Sequence, residues 1–422
     1  MKFLFLNEAM FQQKGNLALM VLVGICMLFP PSVMAAHQRF FKVQAIDTMK
    51  YSRDMARDQG ASEEFKGVID TQIKQIAQTG ATHVAIATPY DDEFVPFLTQ
   101  WVKAARKHNL NVWFRGNFSG WEQWFDYPRM LQEEHTKKVS QFIGQNPTLF
   151  NDGDIFTSCP ECENGGPGDP RQTGDVVGYR NFLIAEYVIT QEAFKKIDKD
   201  IISNYYSMNG DVAELIMDKE TTARLGGVVT IDHYVLTPER LNADINKIAE
   251  QSGGKIVLGE LGAPIPDIHG EMTEEEQEEW LSTLFDLISQ NENVVGVNYW
   301  TSHGSSTEIW TEQNKARSAV KTIGKYYSPS NVHGIITDNI GRKLSDVTVS
   351  VAEHSVKTNK FGEYDLVFVE SDSPLIISKF GYVTQKMAVS QASNEATNVS
   401  LSPKNVSLLE YIVNLFFSIL RK

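Results

Sequence analysis

The stretch Lys255–Pro264, KIVLGELGAP, decides how the rest of the chain is read. Ile256, Val257, Leu258 and Gly259 form the short apolar run that a buried strand carries. Glu260 ends that run, and Gly262 and Pro264 turn the chain into a loop. An ionised carboxylate at the end of a buried strand needs a partner or a task, because burial strips it of water. At the mouth of a parallel barrel such a residue is a catalytic candidate. Elsewhere it is a structural glutamate satisfied by an arginine or a backbone N–H.

Working outward, apolar runs of strand length recur at Phe41–Ile46, His83–Ala87, Asn111–Arg115, Asp154–Thr157, Ile201–Tyr205, Val228–Ile231, Ile256–Gly259 and Val294–Tyr299. Helical periodicity falls between and after them, over Glu63–Gln78, Glu93–Lys107, Val177–Ile197, Pro238–Gln251, Glu274–Ser289 and Glu312–Ile323. Thr273 followed three residues later by Glu276 has the form of a capping box. Eight strand–helix units within residues 37–327 match a (β/α)8 TIM barrel in number and length. A doubly wound open sheet is the alternative, but no glycine-rich dinucleotide fingerprint follows the first strand.

Composition changes at YSPSN, Tyr327–Asn331. Beyond it β-branched runs separated by turn residues take over, at Val332–Thr337, Val347–Val351, Glu363–Val367 and Leu375–Ser378. Residues 328–403 therefore read as a small all-β sandwich. Residues 404–422 carry an apolar face (Leu408, Leu409, Ile412, Val413, Phe416, Phe417, Leu420) ended by Arg421 and Lys422. That pattern suits an amphipathic helix at a membrane surface, on a partner protein, or packed on its own domain. Residues 1–36 have a basic start, an apolar middle and a Val33-Met34-Ala35 ending, the form of a secretory signal or an N-terminal anchor. An exported chain is the expectation. The net charge of −14 argues against a nucleic-acid backbone as partner, and 42% hydrophobic content argues against large-scale disorder.

With the leader set aside, Cys159 and Cys162 remain, in the stretch CPECEN. An export context favours a small-loop disulfide; half a metal site and a redox-active pair are the alternatives. The ends of the expected strands gather Asp47, Arg115, Asn117, Trp121, Trp124, Glu161, Glu163, Asn164, Asp232, His233, Tyr234, Glu260, Trp300 and His303. Two carboxylates facing each other in a tryptophan-rimmed pocket are what glycosidic cleavage requires. One protonates the leaving oxygen, and the other attacks the anomeric carbon or activates water. Aromatic rings suit the apolar faces of sugars, and amides and guanidinium groups suit their hydroxyls. No cofactor and no metal are expected. A metal-dependent hydrolase using Asp47, Asp232, His233 and the cysteines is a rival, although neither His-x-His on strand one nor H-E-x-x-H is present.

On these residues the region resembles the retaining glycoside hydrolases of clan A, the 4/7 superfamily. That resemblance implies an acid/base glutamate at the end of strand four, matching Glu161, and a nucleophile at the end of strand seven, matching Glu260. It further implies that Tyr234 hydrogen-bonds the nucleophile and that Trp300 lines the subsite beside the scissile bond. Arg115, Asn117, Trp121 and Asn164 are the remaining substrate-binding candidates. The family places Asn before its acid, whereas Pro160 stands here, so the contact to the sugar 2-hydroxyl is either lost or made by Asn164 or Asn117, and Glu163 is the alternative acid. Arg115 and Tyr234 are expected to keep Glu260 ionised, and burial and repulsion to keep Glu161 protonated. VHGIITDNIGRKLSDVTVSV, TNKFGEYDL and ISKFGYV, within Asn331–Pro403, are similar to carboxypeptidase regulatory-like domains, which are non-catalytic sandwiches. The expected function is exported glycoside hydrolysis with retention. A catalytically silent glycan-binding or scaffold barrel is the alternative.

Overall fold

The structure, a computed structural model, describes residues 38–166, 168–389 and 396–407. The leader-like segment 1–36 and the apolar face beyond residue 407 lie outside the described residues. All described elements lie in a compact unit that begins at Arg39.

Eight parallel strands curl into a barrel in the order β4-β3-β2-β1-β8-β7-β6-β5. They are β1 (Val43–Asp47), β2 (His83–Ile86), β3 (Asn111–Phe114), β4 (Ile155–Phe156), β5 (Ser207–Asn209), β6 (Val228–Asp232), β7 (Lys255–Leu261) and β8 (Val294–Tyr299). Ile202 closes the ring by bridging to Ile155, with Phe156 N–H donating to Ile202 O at 2.8 Å. Alternation along the strands splits the apolar residues into two layers. Val43, Ala45, Ala85, Trp113, Ile155 and Val257 pack together inside the barrel. Ile46, Val84, Ile86, Val112, Phe114, Ile256 and Leu258 pack outward beneath the helices. Burial on both faces explains why these strands read as continuous apolar runs.

The principal covering helices are α1 (Glu63–Gln78), α2 (Val95–Lys107), α3 (Gln132–Gln145), α4 (Val176–Lys196), α5 (Pro238–Ser252), α6 (Glu274–Ser289) and α7 (Ser318–Tyr327). Ser62, Thr237 and Thr273 cap α1, α5 and α6 through side-chain oxygens, and Thr273 with Glu276 makes the expected reciprocal box. The fifth expected strand is displaced. Only Ile202 of Ile201–Tyr205 pairs, and the strand named β5 begins at Ser207. Its Ser-Met-Asn sequence hides it from an apolar search because Ser207 and Asn209 serve polar partners at the strand end. The last helix begins at Ser318 rather than Glu312, since Thr311–Arg317 folds back on itself with a bridge between Trp310 and Ala316.

Beyond α7 the chain forms two small sheets. One has the order β11-β10-β13-β14, from β10 (Thr348–Val351), β11 (His354–Lys357), β13 (Leu375–Ser378) and β14 (Gln385–Met387). The other has the order β12-β9-β15, from β9 (Ser330–Asp338), β12 (Glu363–Phe368) and β15 (Val399–Leu401). Strict period-two burial along β9 and β12 sends Ile336, Leu366 and Phe368 into a core shared with Val349, Val351, Ile377 and Leu401. These sheets meet the barrel at the start of β1. Phe40 lies 4.9 Å from the His354 ring and 6.0 Å from Tyr326, centroid to centroid.

Candidate active site

Arg115, one residue past β3, continues the inward alternation of Trp113 and is 1% exposed in the barrel mouth. Its Nη2 donates to Glu260 Oε1 and Asp232 Oδ2, both at 3.0 Å, and to Ser207 Oγ at 3.3 Å. Nη1 donates to Gly259 O and stands 3.9 Å from Asp47 Oδ2. Asp47 is held in turn by Met49 N–H at 2.6 Å and by Asn298 Nδ2 at 3.1 Å. One buried guanidinium thus serves three buried carboxylates contributed by β1, β6 and β7.

Glu260 is inside β7 rather than at its stop. Plain alternation from Val257 would turn residue 260 away from the barrel interior. The pairing shows why it is not turned away: Ile231 faces Leu258 and Asp232 faces Glu260, while on the other side Leu258 faces Val297 and Leu261 faces Tyr299. One extra residue at Gly259 makes a β-bulge, and bulges re-aim side chains. A Cβ at Gly259 would sit 2.4 Å from Asp232 Oδ1 and 2.9 Å from Thr230 Cγ2, so glycine is required for that close approach. Tyr234 OH donates to Glu260 Oε2 at 2.9 Å, and the Trp300 ring stands edge-on to Tyr234, 6.2 Å away. Lys50 Nζ lies 5.8 Å from the Trp300 ring centre.

Glu161 enters from the loop after β4. Its backbone is left-handed, at φ +46° and ψ +56°, a conformation costing a non-glycine residue of order 1–3 kcal/mol. Three restraints hold it there. Its N–H donates to Ser207 O at 2.9 Å, and its carbonyl accepts from Asn164 N–H at 2.9 Å. Cys159 and Cys162, which flank it, are joined in a disulfide. Asn164 Nδ2 donates to Glu161 Oε2 at 3.1 Å and reaches Glu122 Oε2 at 3.5 Å. Glu163 is differently placed. Oε1 accepts from Asn209 N–H at 2.8 Å and Asn209 Nδ2 at 3.1 Å, and Oε2 accepts from Tyr179 OH at 3.1 Å, which pins the loop to β5 and α4.

Electrostatics follows this crowding of acids. Burial first, then the charges of Glu260, Glu163 and Glu122, push the Glu161 carboxyl up to about 8 against the pull of Arg115. Burial and the Asp232 charge likewise raise Glu260 above the ordinary carboxylate range, more than Arg115 and Tyr234 lower it. The expectation that these two partners would hold Glu260 low is therefore corrected: burial, and the Asp232 and Asp47 charges gathered on the same guanidinium, outweigh them. Asp232 is raised to about 7 and Glu122 to about 7, each chiefly by burial.

The structure brings Glu260, Arg115 and Tyr234 into direct contact, sets Trp300 beside Tyr234, and joins Glu161 to Asn164. It does not bring Asn117 or Trp121 to the pocket. Asn117 is fully buried, with Oδ1 accepting from Phe118 N–H at 2.8 Å and meeting His135 Nε2 at 2.9 Å. Trp121 stacks on Phe182 at 5.4 Å and lies beneath Gly165–Gly166, where a Cβ on Gly166 would fall 1.9 Å from its ring. Both support the loop from below instead of meeting a ligand. Sequence reading passed over Glu122, Ser207, Asn209 and Asn298. Only their positions at strand ends or between the tryptophans could have signalled them. Among the described residues no three His, Cys, Asp or Glu are grouped so as to hold a metal ion.

No protein-family model and no curated protein matches the chain. Solved structures do resemble it. A GH5_18 protein of Bifidobacterium longum subsp. longum, in complex with Manβ1-4GlcNAc, superposes at TM-score 0.52 with 16% identity over 72% of this chain and 84% of that one. A GH5_18 protein of Streptomyces cattleya, in complex with the same disaccharide, gives 0.52 with 13% identity over 69% and 80%. A β-D-glucuronidase of Dictyoglomus thermophilum gives 0.47 with 14% identity, and this chain spans 51% of its length. The GH5_18 likenesses establish the fold, a TIM-like barrel.

Proposed function

We propose that this chain is a retaining glycoside hydrolase acting on a poly- or oligosaccharide. The observation that carries the reading is the pair Glu260, next to last in β7, and Glu161, in the loop after β4, one bonded to Arg115 and Tyr234 and the other raised to about 8. In this mechanism Glu260 attacks the anomeric carbon while Glu161 gives its proton to the departing sugar oxygen. Glu161, now ionised, takes a proton from water, which attacks the same carbon and frees Glu260. Glu161 takes the acid role in preference to Glu163, because both Glu163 oxygens already accept hydrogen bonds from structural partners. Trp300, beside Tyr234, supplies the apolar face for the sugar ring, and Asn164 takes hydroxyl contact next to the acid. The fold shared with the GH5_18 proteins, whose complexes hold Manβ1-4GlcNAc, supports a carbohydrate ligand.

Export belongs to the same proposal. The leader-like residues 1–36 and the bonded cysteines support an oxidising compartment. The β-sheets after residue 328 serve as a non-catalytic, carboxypeptidase regulatory-like accessory unit, and the tail from residue 404 as a surface or partner contact.

The test is covalent trapping. An activated 2-deoxy-2-fluoro glycoside screened across sugar types should leave a glycosyl adduct on the peptide containing Glu260, read by mass spectrometry. Glu260→Gln should abolish both adduct and turnover. Turnover of an identified glycan by Glu260→Gln at the unsubstituted rate would overturn the reading. Absence of any adduct, together with retained glycan binding, would support a silent binding barrel.

A further inference from the structure

Asp232 is an unusual companion for a nucleophile. It sits directly across from Glu260 in the β6–β7 pairing, is 2% exposed, and shares one Arg115 nitrogen with it at equal distances of 3.0 Å. The groups facing the two carboxylates are few. Among the described residues Arg115, just past β3, is the cation that contacts both; Asp47 from β1 adds negative charge beside Glu260, and Glu161 and Glu163 from the loop after β4 add it beside Asp232; Tyr234 donates to Glu260, and Ser207 from β5 hydrogen-bonds Asp232 and accepts from Arg115. With Asp47, Asp232 and Glu260 all ionised, this buried cluster would carry two negative charges beyond the one that Arg115 offsets. Buried charge of that kind is relieved by retaining a proton.

We propose that Asp232 and Glu260 hold one proton between them across Arg115, and that Asp232 carries it when Glu260 acts. Asp232 is then a positioning residue: it ionises Glu260 by taking its proton and leaves the Arg115 Nη2 that the two share to the nucleophile. No proton leaves the site and none enters during the switch. When the proton is on Glu260, Arg115 is held by Asp232 and the site rests. The close packing of Gly259 against Asp232 Oδ1 keeps the two carboxylates in register, since any side chain there would part them. This inference rests on Glu260 as the nucleophile for its use, but the shared proton itself does not depend on any substrate.

The experiment separates the two. In the full chain labelled with 13C at glutamate side-chain carboxyls, the Glu260 resonance is assigned by its loss in Glu260→Gln and followed across pH. In Asp232→Asn, which keeps an oxygen for Arg115 but has no proton to share and no charge, Glu260 should titrate at least about one pH unit lower. The acidic limb of kcat/KM should move down with it on any substrate found. Asp232→Ala, which leaves Arg115 without that acceptor, should perturb folding as well and serves as the structural control. An Asp232→Asn protein that melts like the parent while Glu260 titrates unmoved would overturn the proposal. A shifted titration with no glycosyl adduct on Glu260 would uphold the shared proton and remove the glycosidase reading instead.

Discussion

Glu161 has two properties that its neighbours in the chain cannot supply: a left-handed backbone and a carboxyl raised to about 8. In the acid role we propose for it, it is active while protonated, so activity should fall as pH rises through about 8. Glu161→Gln should erase that basic limb. Its rate should drop by about 10²–10⁴-fold on substrates with poor leaving groups and little on activated aryl glycosides, as steady-state kinetics on both would show. The same shift has a stability consequence. A carboxyl whose folded value exceeds its ordinary 4.5 stabilises the fold fully below that pH, and the contribution is lost as pH climbs towards 8. Melting temperatures of Glu161→Gln and the parent should therefore converge at pH 4 and separate at pH 9, with the variant the more stable. Gly259 is the second decisive residue. Gly259→Ala meets Asp232 Oδ1 and Thr230 Cγ2, and the strain of overpacking, about 1–3 kcal/mol, should displace the bulge and cost far more in kcat/KM than in denaturant midpoint.

At the scale of elements, the loop after β4 is fastened to helices whose packing shows a buried polar network. His135 on α3 meets Glu186 on α4 at 3.0 Å and Asn117 at 2.9 Å, and Thr136 donates to the same Glu186 oxygen at 2.6 Å. Burial works to raise Glu186, yet the His135 charge and these hydrogen bonds hold it below its ordinary value. Glu186 is fully buried, so His135→Ala leaves an uncompensated charge and should cost about 3–5 kcal/mol in urea unfolding. Opening the Cys159–Cys162 disulfide should cost less, about 2 kcal/mol, because the loop it closes is so short. Its larger effect should be on catalysis, since Glu161 then loses one of the restraints on a strained backbone; the paired serine variant, compared by Tm and by kcat, separates these. Helix α3 itself escaped the sequence reading, whereas α1 and α6 were legible to the residue because their caps, Ser62 and Thr273, mark where the periodicity begins.

The whole molecule places its carboxylate cluster at one end of the barrel and its second sheet unit at the other. Phe40, ahead of β1, packs on Tyr326 and His354, and Val369 also packs on the barrel core. Phe40→Ala should lower Tm while leaving kcat/KM unchanged, because that contact lies at the opposite ends of the strands from Glu161 and Glu260. The sequence by itself determined the barrel and the sheets that follow it. Doubly buried strands must be apolar throughout, half-buried ones must alternate, and both periods are visible in one dimension. It also placed Glu260, Glu161, Tyr234 and Arg115 at strand ends, because strand order alone gathers those ends. Tertiary structure alone decided which of them touch. The bulge that turns Glu260 inward is a register difference between β7 and both of its neighbours. Asn117 and Trp121, at the same strand end as Arg115, went into the packing beneath the loop. Arg115 stabilises Glu260 less than expected because Asp47 and Asp232, distant in the chain, arrive at the same guanidinium. Charge balance in a buried site is a sum over everything within reach, and only the folded chain fixes that sum.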